Sequence, residues 1–386
     1  MPEKAQDYPV HGLQRRGLKM IDFFSGAGIF SLGITDSNLG DVATAIDNCE
    51  YACKSWNTIH RKNGVCRNMD VNAFLKKAST AARKSEVGRK EYHYDMVVAS
   101  PPCQDWTILN RYRKESGRSL IVEVGNMIEC LPNVDYLLVE NVAEWGRARY
   151  WKEMGQVDDG DTKTTPYCYL LAELLSFGYQ IHSECIDSAH HGSPQSRNRL
   201  ILNAVIKDKK LTSLPNPSHY FKSTRRQHSS YVKPANACGE SQPESRIPLH
   251  GPCRFVTVED TIGDLPPAVR MGFKPKVPLH VFTRDEEEFT IERHERVRRQ
   301  GQFKTIARNP VPGAPKFHYS FNRQLTLRER ALAQGFFKED IARLHRLYDG
   351  KHMTTQSRDL LNVQIGNAVS RQLAFALACS MNATLD

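Results

Sequence analysis

Short apolar runs recur through the first half of the chain, each followed by a small-residue or polar break. Leu18-Lys-Met-Ile-Asp-Phe-Phe24 predicts a strand, Ser25-Gly-Ala-Gly28 a turn, and Phe30 onward a helix. Val42-Ala-Thr-Ala-Ile46 predicts a second strand ending in Asp47, and 48–58 a helix. Tyr94-Asp-Met-Val-Val-Ala99 is a third run, halted by Pro101-Pro102. Tyr136-Leu-Leu-Val139 is a fourth, halted by Glu140-Asn141, and Arg199-Leu-Ile-Leu202 a further one. Apolar runs alternating with helical stretches predict an α/β fold, a mainly parallel sheet with helices on both faces. Ligands of such sheets lie at the carboxyl ends of the strands. Ser25, Asp47, Cys103 and Glu140 all fall at those ends.

The rhythm then breaks. Between about 206 and 320, Pro215, Pro217, Pro234, Pro243, Pro248 and Pro252 interrupt it. Regular patterning returns with helices at Leu325-Thr-Leu-Arg-Glu-Arg-Ala-Leu-Ala333 and from Ser370 to Met381. The organisation expected is a polar, flexible lead-in over 1–17, a first domain over 18–205, a loop-rich module over 206–320, and a return to the first domain over 321–386.

Charge sharpens this division. The chain of 386 residues has a net charge of +10. The 206–320 stretch holds 20 Lys and Arg against 12 Asp and Glu, an excess of 8. Such a surface suits a polyanion. No apolar run approaches the roughly 20 residues of a membrane helix, and Met1 to Lys19 lacks a signal-type stretch, so an intracellular protein is expected. The ten cysteines include no C-x-x-C pair, so no metal site is predicted and reduced thiols are expected.

Six places along the chain could carry chemistry. The glycines of Asp22-Phe-Phe-Ser-Gly26-Ala-Gly28 let a backbone approach a ligand, as many nucleotide-binding and purely structural turns do. Asp47 could bind both hydroxyls of a ribose or cap a helix, and Asp70 an adenine amino group or a loop. In Ser100-Pro-Pro-Cys103-Gln104 two prolines stiffen the approach to a candidate nucleophile; a buried structural thiol is the alternative. The carboxyl of Glu140 could serve a ring nitrogen with a proton or hydrogen bond, or form a salt bridge. Arg197 and Arg199, two apart in Gln195-Ser-Arg-Asn-Arg199, are placed on one strand face, suited to planar oxygen acceptors or to solvent.

Taken together the segments resemble the cytosine-5 DNA methyltransferase family. Asp22-Phe-Phe-Ser-Gly-Ala-Gly28 resembles its first cofactor motif, Pro101-Pro-Cys-Gln104 its catalytic loop, and Glu140-Asn-Val142 and Gln195-Ser-Arg-Asn-Arg199 two further hallmarks. Arg323-Gln-Leu-Thr-Leu-Arg-Glu-Arg-Ala-Leu-Ala-Gln-Gly-Phe336 and Gln364-Ile-Gly-Asn-Ala-Val369 resemble its last two, and Val258-Glu-Asp-Thr-Ile-Gly-Asp-Leu-Pro-Pro267 a frequent segment. The resemblance runs from about residue 18 to the C-terminus. It implies a Rossmann-like methyltransferase fold, S-adenosyl-L-methionine as cofactor and double-stranded DNA as partner, with 206–320 as the target recognition domain.

It also implies roles. Cys103 would add to carbon 6 of a flipped-out cytosine, Glu140 engage ring nitrogen 3 and the exocyclic amine, Arg199 hold the base oxygen, and Arg197 orient Glu140 or a phosphate. Phe24, Gly26, Gly28, Asp47, Asn48, Asp70, Val71 and Pro102 would line the cofactor pocket, closed by Asn367 and Val369. The chain departs from the family pattern at Ile29, where a second glycine is usual, and at Asp105-Trp106. A related branch that methylates transfer RNA carries a Cys-Phe-Thr signature, which this sequence lacks. A silent nucleic-acid-binding regulator would typically have lost the cysteine, the glutamate or the arginines. A nicotinamide oxidoreductase would account only for the glycine turn. The implied location is the nucleus in a eukaryote or the cytoplasm and nucleoid in a bacterium, and a protein partner for targeting stays open, as does oligomeric state.

Overall fold

Strands with apolar residues at every position need cover on both faces, and the sheet of this protein has it. The computed structural model describes residues 13–60, 64–102, 117–146, 166–220, 253–270, 273–282, 295–307, 315–348 and 354–385. The central sheet comprises β1 (Leu18–Phe23), β2 (Gly40–Asp47), β3 (Val65–Asn68), β4 (Met96–Ala99), β5 (Tyr136–Val142), β6 (Tyr179–Asp187) and β7 (Asn198–Ile206), in the order β3-β2-β1-β4-β5-β7-β6. β1 to β5 are parallel to one another, and β7 runs antiparallel between β5 and β6. Strand order reverses between β1 and β4, which opens a crevice at their carboxyl ends.

Side-chain alternation divides the core into two layers. Ile21, Phe23, Val97, Ala99, Leu137 and Val139 face one way, onto Phe74 and Leu75 of α3 (Val71–Lys84), Met127 of α5 (Gly117–Cys130) and Leu170 of α6 (Pro166–Ser176). Met20, Met96, Val98, Tyr136 and Leu138 face the other way. They meet Phe30 and Ile34 of α1 (Ile29–Thr35), Trp56 of α2 (Glu50–His60) and Leu373, Leu377 and Met381 of α11 (Arg371–Thr384). α4 (Glu86–Glu91) adjoins α3 and is capped by Ser85. Gln14 and Arg16 are tied to the C-terminal helix through Asn382, which donates to the Gln14 carbonyl and accepts from Arg16.

A third cluster lies outside the sheet. Val258 and Ile262 of α7 (Val258–Ile262) pack with Leu279, Val297, Phe303 and Ile306. The same cluster takes in Leu332 of α8 (Leu327–Gln334), Ile341 of α9 (Lys338–Tyr348) and Ile365 of α10 (Thr355–Asn367), so it draws on both sides of residue 320. It also takes in Ala27, Ile29 and Leu32. Ile29, where the family that the sequence resembles usually has a glycine, is thus a buried first residue of α1. Among the described residues of 207–320, regular structure amounts to α7 and two-residue strands, 219–220 with 253–254 and 269–270 with 281–282.

Several boundaries differ from the pattern reading; β7, for one, spans Asn198–Ile206 rather than 199–202. The second helix spans Glu50–His60 rather than 48–58. β5 does not stop at Val139 but continues through Glu140 and Asn141 to Val142, because β7 pairs with it along that whole length.

Candidate active site

β1 delivers the chain into the glycine turn. Phe24 adopts φ 58°, Gly26 φ 53° and Gly28 φ 82°, all left-handed. The turn is closed by the Gly28 N–H donating to the Ser25 carbonyl at 3.0 Å and tied to β2 by the Ser25 N–H on the Ile46 carbonyl. The two glycines serve different ends. A Cβ on Gly26 would meet no atom of the described residues within 4 Å, so among them its face is open for a ligand. A Cβ on Gly28 would lie 2.4 Å from Trp56 Cδ1, so that glycine admits close packing of α2.

Asp47 ends β2 beside this turn. Its carboxylate accepts from the Gly26 N–H at 2.9 Å and the Cys49 N–H at 2.8 Å. Burial pushes its pKa up while the two backbone donors pull it down. Asn48 next to it is exposed. Asp70 caps α3, accepting from the Ala73 N–H at 3.1 Å, and Val71 is buried below it. Pro102 and Asn367 are exposed, whereas Val369 packs into the sheet-side core with Met20 and Leu373. The open face of Gly26, the strand-end acid and the exposed Asn48 fit a polar cofactor with a hydroxylated sugar.

The neighbouring strand ends carry the reactive constellation. The Ser100 N–H donates to the Phe23 carbonyl at 3.2 Å, so the segment after β4 leaves beside the glycine turn. Buried Asn141 donates from Nδ2 to the Pro101 carbonyl at 3.3 Å, fixing the proline pair to β5. Cys103, Gln104, Asp105 and Trp106 lie outside the described residues. Glu140 is 6% exposed and its Oε1 is 2.7 Å from Nε of Arg199, itself 8% exposed. Glu140 pairs with Ile201 and Val142 with Arg199, so Glu140 and Arg199 are diagonal neighbours on one face.

Arg197 takes a different place from the one its spacing predicted. It precedes β7, and its guanidinium donates to the carbonyls of Ile306 and Gly366 at 3.1 and 3.4 Å. The contact to Glu140 belongs to Arg199. Gln195 works alongside Arg197: it donates to Gln334 Oε1 and accepts from the Ile306 N–H at 2.9 Å, and Gln334 donates to the Ala368 carbonyl. These bonds join the segment before β7, the third cluster and the end of α10.

Sequence reasoning assigned nothing to Asn141, Gln334, Trp56 or His60. Asn141 and Gln334 sat inside quoted motifs, and His60 sat in an apolar helical stripe with Cys53 and Trp56, a signal that a buried polar group had a task. Among the described residues no group of three or more His, Cys, Asp or Glu is arranged to hold a metal ion, and no helix is long and apolar enough to cross a membrane.

Comparison with known proteins gives this geometry a lineage. The chain is 27% identical over 260 residues to DNA (cytosine-5)-methyltransferase PliMCI of Paracentrotus lividus, covering 64% of this chain and 15% of that protein. It is 26% identical over 300 residues to DNA (cytosine-5)-methyltransferase 1A of Oryza sativa subsp. japonica, covering 71% of this chain and 18% of that protein. The chain therefore spans under a fifth of the length of these relatives. In fold it is similar to a prophage-encoded E. coli protein assigned as a DNA modification methyltransferase, with a TM-score of 0.64 at 18% identity over 95% of this chain and 99% of that one. It is also similar to the S. pombe Dnmt2 methyltransferase, with a TM-score of 0.53 at 16% identity over 93% and 97%. The profile of the C-5 cytosine-specific DNA methylases matches residues 18–383, and the chain belongs to that family.

Proposed function

We propose that this protein transfers a methyl group from S-adenosyl-L-methionine to carbon 5 of cytosine in double-stranded DNA, through a covalent adduct at Cys103. The observation that carries the reading is the buried Glu140–Arg199 pair on the strand whose Asn141 holds Pro101, two residues before the cysteine. The cofactor supplies an electrophilic methyl group. Phe24, Gly26, Gly28, Asp47, Asn48, Asp70, Val71 and Pro102 bind it, with Asn367 and Val369 closing the pocket. Asp47 serves the sugar hydroxyls with lone pairs left over from its two backbone donors.

The target base leaves the duplex to reach these groups. The thiolate of Cys103 adds to carbon 6, which makes carbon 5 nucleophilic. Glu140 engages ring nitrogen 3 and the exocyclic amine, and Arg199 fixes that carboxyl while facing the base oxygen. Arg197, through Ile306 and Gly366, holds the recognition side and the end of α10 in register with the site. After methyl transfer, loss of the proton on carbon 5 expels Cys103.

Residues 18–205 and 321–386 form the catalytic domain of this proposal, and 206–320 the target recognition domain. The excess positive charge of that stretch suits phosphate contacts. The location that follows is wherever the DNA is.

Labelled methyl transfer to duplex DNA, half-methylated DNA and transfer RNA tests the reading. The expected result is label on DNA that disappears in Cys103→Ala. Label on RNA alone moves the protein to the RNA-methylating branch, and substantial methylation by Cys103→Ala overturns the covalent route.

A further inference from the structure

His60 lies at the far end of α2 from Asp47, yet its ring returns to the cofactor turn. The imidazole is 4% exposed and lies flat on Trp56, with centroids 3.9 Å apart and planes 2° from parallel. Its Nε2 is 2.8 Å from the Gly28 carbonyl oxygen. A carbonyl only accepts, so Nε2 carries the proton and donates. Nδ1 is buried with no partner among the described residues, so a second proton there would be an unsatisfied donor. Burial comes first among the forces against the charged ring, and the cations of Arg371 and Arg343 add to it; the pKa is pushed down to about 3. The ring is thus a fixed, neutral donor.

Gly28 is where this donor matters. Its carbonyl accepts the first helical bond of α1, from the Leu32 N–H at 3.0 Å, and the bond from His60 as well. A Cβ on the same residue would come 2.5 Å from that same Nε2 of His60. The left-handed conformation of Gly28 and the position of His60 therefore define each other. Two residues earlier stands the open face of Gly26.

We propose that His60 is a positioning residue for methyl transfer: its Nε2–H anchors the Gly28 carbonyl and so holds the Gly26–Gly28 turn in the shape that receives the cofactor. The inference rests on the reading that this turn binds S-adenosylmethionine. A side chain that only fills the core would change the melting temperature without separating cofactor affinity from turnover.

The test uses the full chain, titrated with S-adenosylmethionine by calorimetry and assayed on duplex DNA. His60→Phe keeps a flat ring against Trp56 but has no donor. It is expected to bind the cofactor about ten-fold more weakly and to raise the KM for it equally, with kcat within about two-fold of wild type. His60→Gln, whose amide can donate to Gly28, is expected to recover most of the loss. Unchanged affinity in His60→Phe, or His60→Gln as weak as His60→Phe, overturns the inference and leaves the proposed function standing. Wild-type protein that binds no S-adenosylmethionine overturns both. Should His60→Phe not fold, histidine nitrogen NMR of the wild type decides. A neutral ring protonated at Nε2 at pH 6, with a resonance that moves on cofactor binding, is expected. A ring protonated at Nδ1, or charging near pH 6.5, overturns the inference.

Discussion

At the scale of single residues, Glu140 is a carboxylate in a strand otherwise made of Tyr136, Leu137, Leu138, Val139 and Val142 around Asn141. A buried charge of this kind is tolerated when its partner is fixed, and the register between β5 and β7 fixes Arg199. Arg199→Ala removes the partner and leaves the carboxylate buried. The expected loss is about 3–5 kcal/mol of unfolding free energy, read by urea titration. Glu140→Gln keeps the shape and an acceptor for Arg199, so its stability should stay near wild type. Its methyl transfer should fall by at least about 100-fold while calorimetric binding of the cofactor is preserved. Loss of cofactor binding in that variant would put Glu140 on the wrong side of the site. Glu140 is legible in the sequence as the polar residue after an apolar run, and Arg199 as one of two arginines on a strand face. Their pairing is not, because the resemblance gives Arg197 the orienting of Glu140 or a phosphate, and Arg199 the base oxygen. Only the antiparallel register of β7 and the reach of Arg197 to Ile306 separate them.

At the scale of elements, the glycine turn shows what a motif hides. Gly26 and Gly28 look alike in sequence, and close ligand approach is the natural reading of both. Gly26→Ala should cost only the strain of a left-handed alanine, about 1–2 kcal/mol, since its Cβ enters open space. Gly28→Ala adds a collision with the Trp56 ring of a well-packed core, so it should lower the melting temperature clearly more than Gly26→Ala does. Equal melting temperatures would mean that α2 yields easily and that the two glycines are interchangeable. Strands β1, β2, β4 and β5 are legible through short apolar runs, such as 42–43 and 45–46 in β2 and 136–139 in β5, as strands covered on both faces carry. β3 and β6 are not. β3 is four residues with exposed ends, and β6 is a half-buried edge strand reading Tyr-Gln-Ile-His-Ser-Glu-Cys-Ile-Asp. Neither offers the contrast between faces on which periodicity depends.

At the scale of the whole molecule, folding buries ionisable groups such as His60, His191 and Asp22, and pH should expose the cost. His60 and His191 are pushed down to about 3, chiefly by burial; His190 and His219 add to the effect on His191. Their ordinary value is 6.5. Between pH 3 and 6.5 the unfolded chain takes up protons at these positions that the folded chain refuses, so acidification through this window favours unfolding. Asp22 acts in the opposite sense. Burial pushes it up to about 7 from 3.8, against the hydrogen bond from Ser31. The folded chain keeps a proton there that the unfolded chain releases, and that stabilisation fades as pH rises through 7. Asp36, Asp47 and Asp340 are also raised by burial and act in the same sense as Asp22. A stability maximum between about pH 6 and 7 is expected from these signs. One substitution isolates a single contributor. In His191→Gln, the fall in unfolding free energy between pH 6.5 and 5 should be smaller than in wild type by about 1.5 kcal/mol. Urea unfolding at the two pH values measures it. An unchanged fall would mean that His191 is charged in the folded protein, and that the acid sensitivity has another origin.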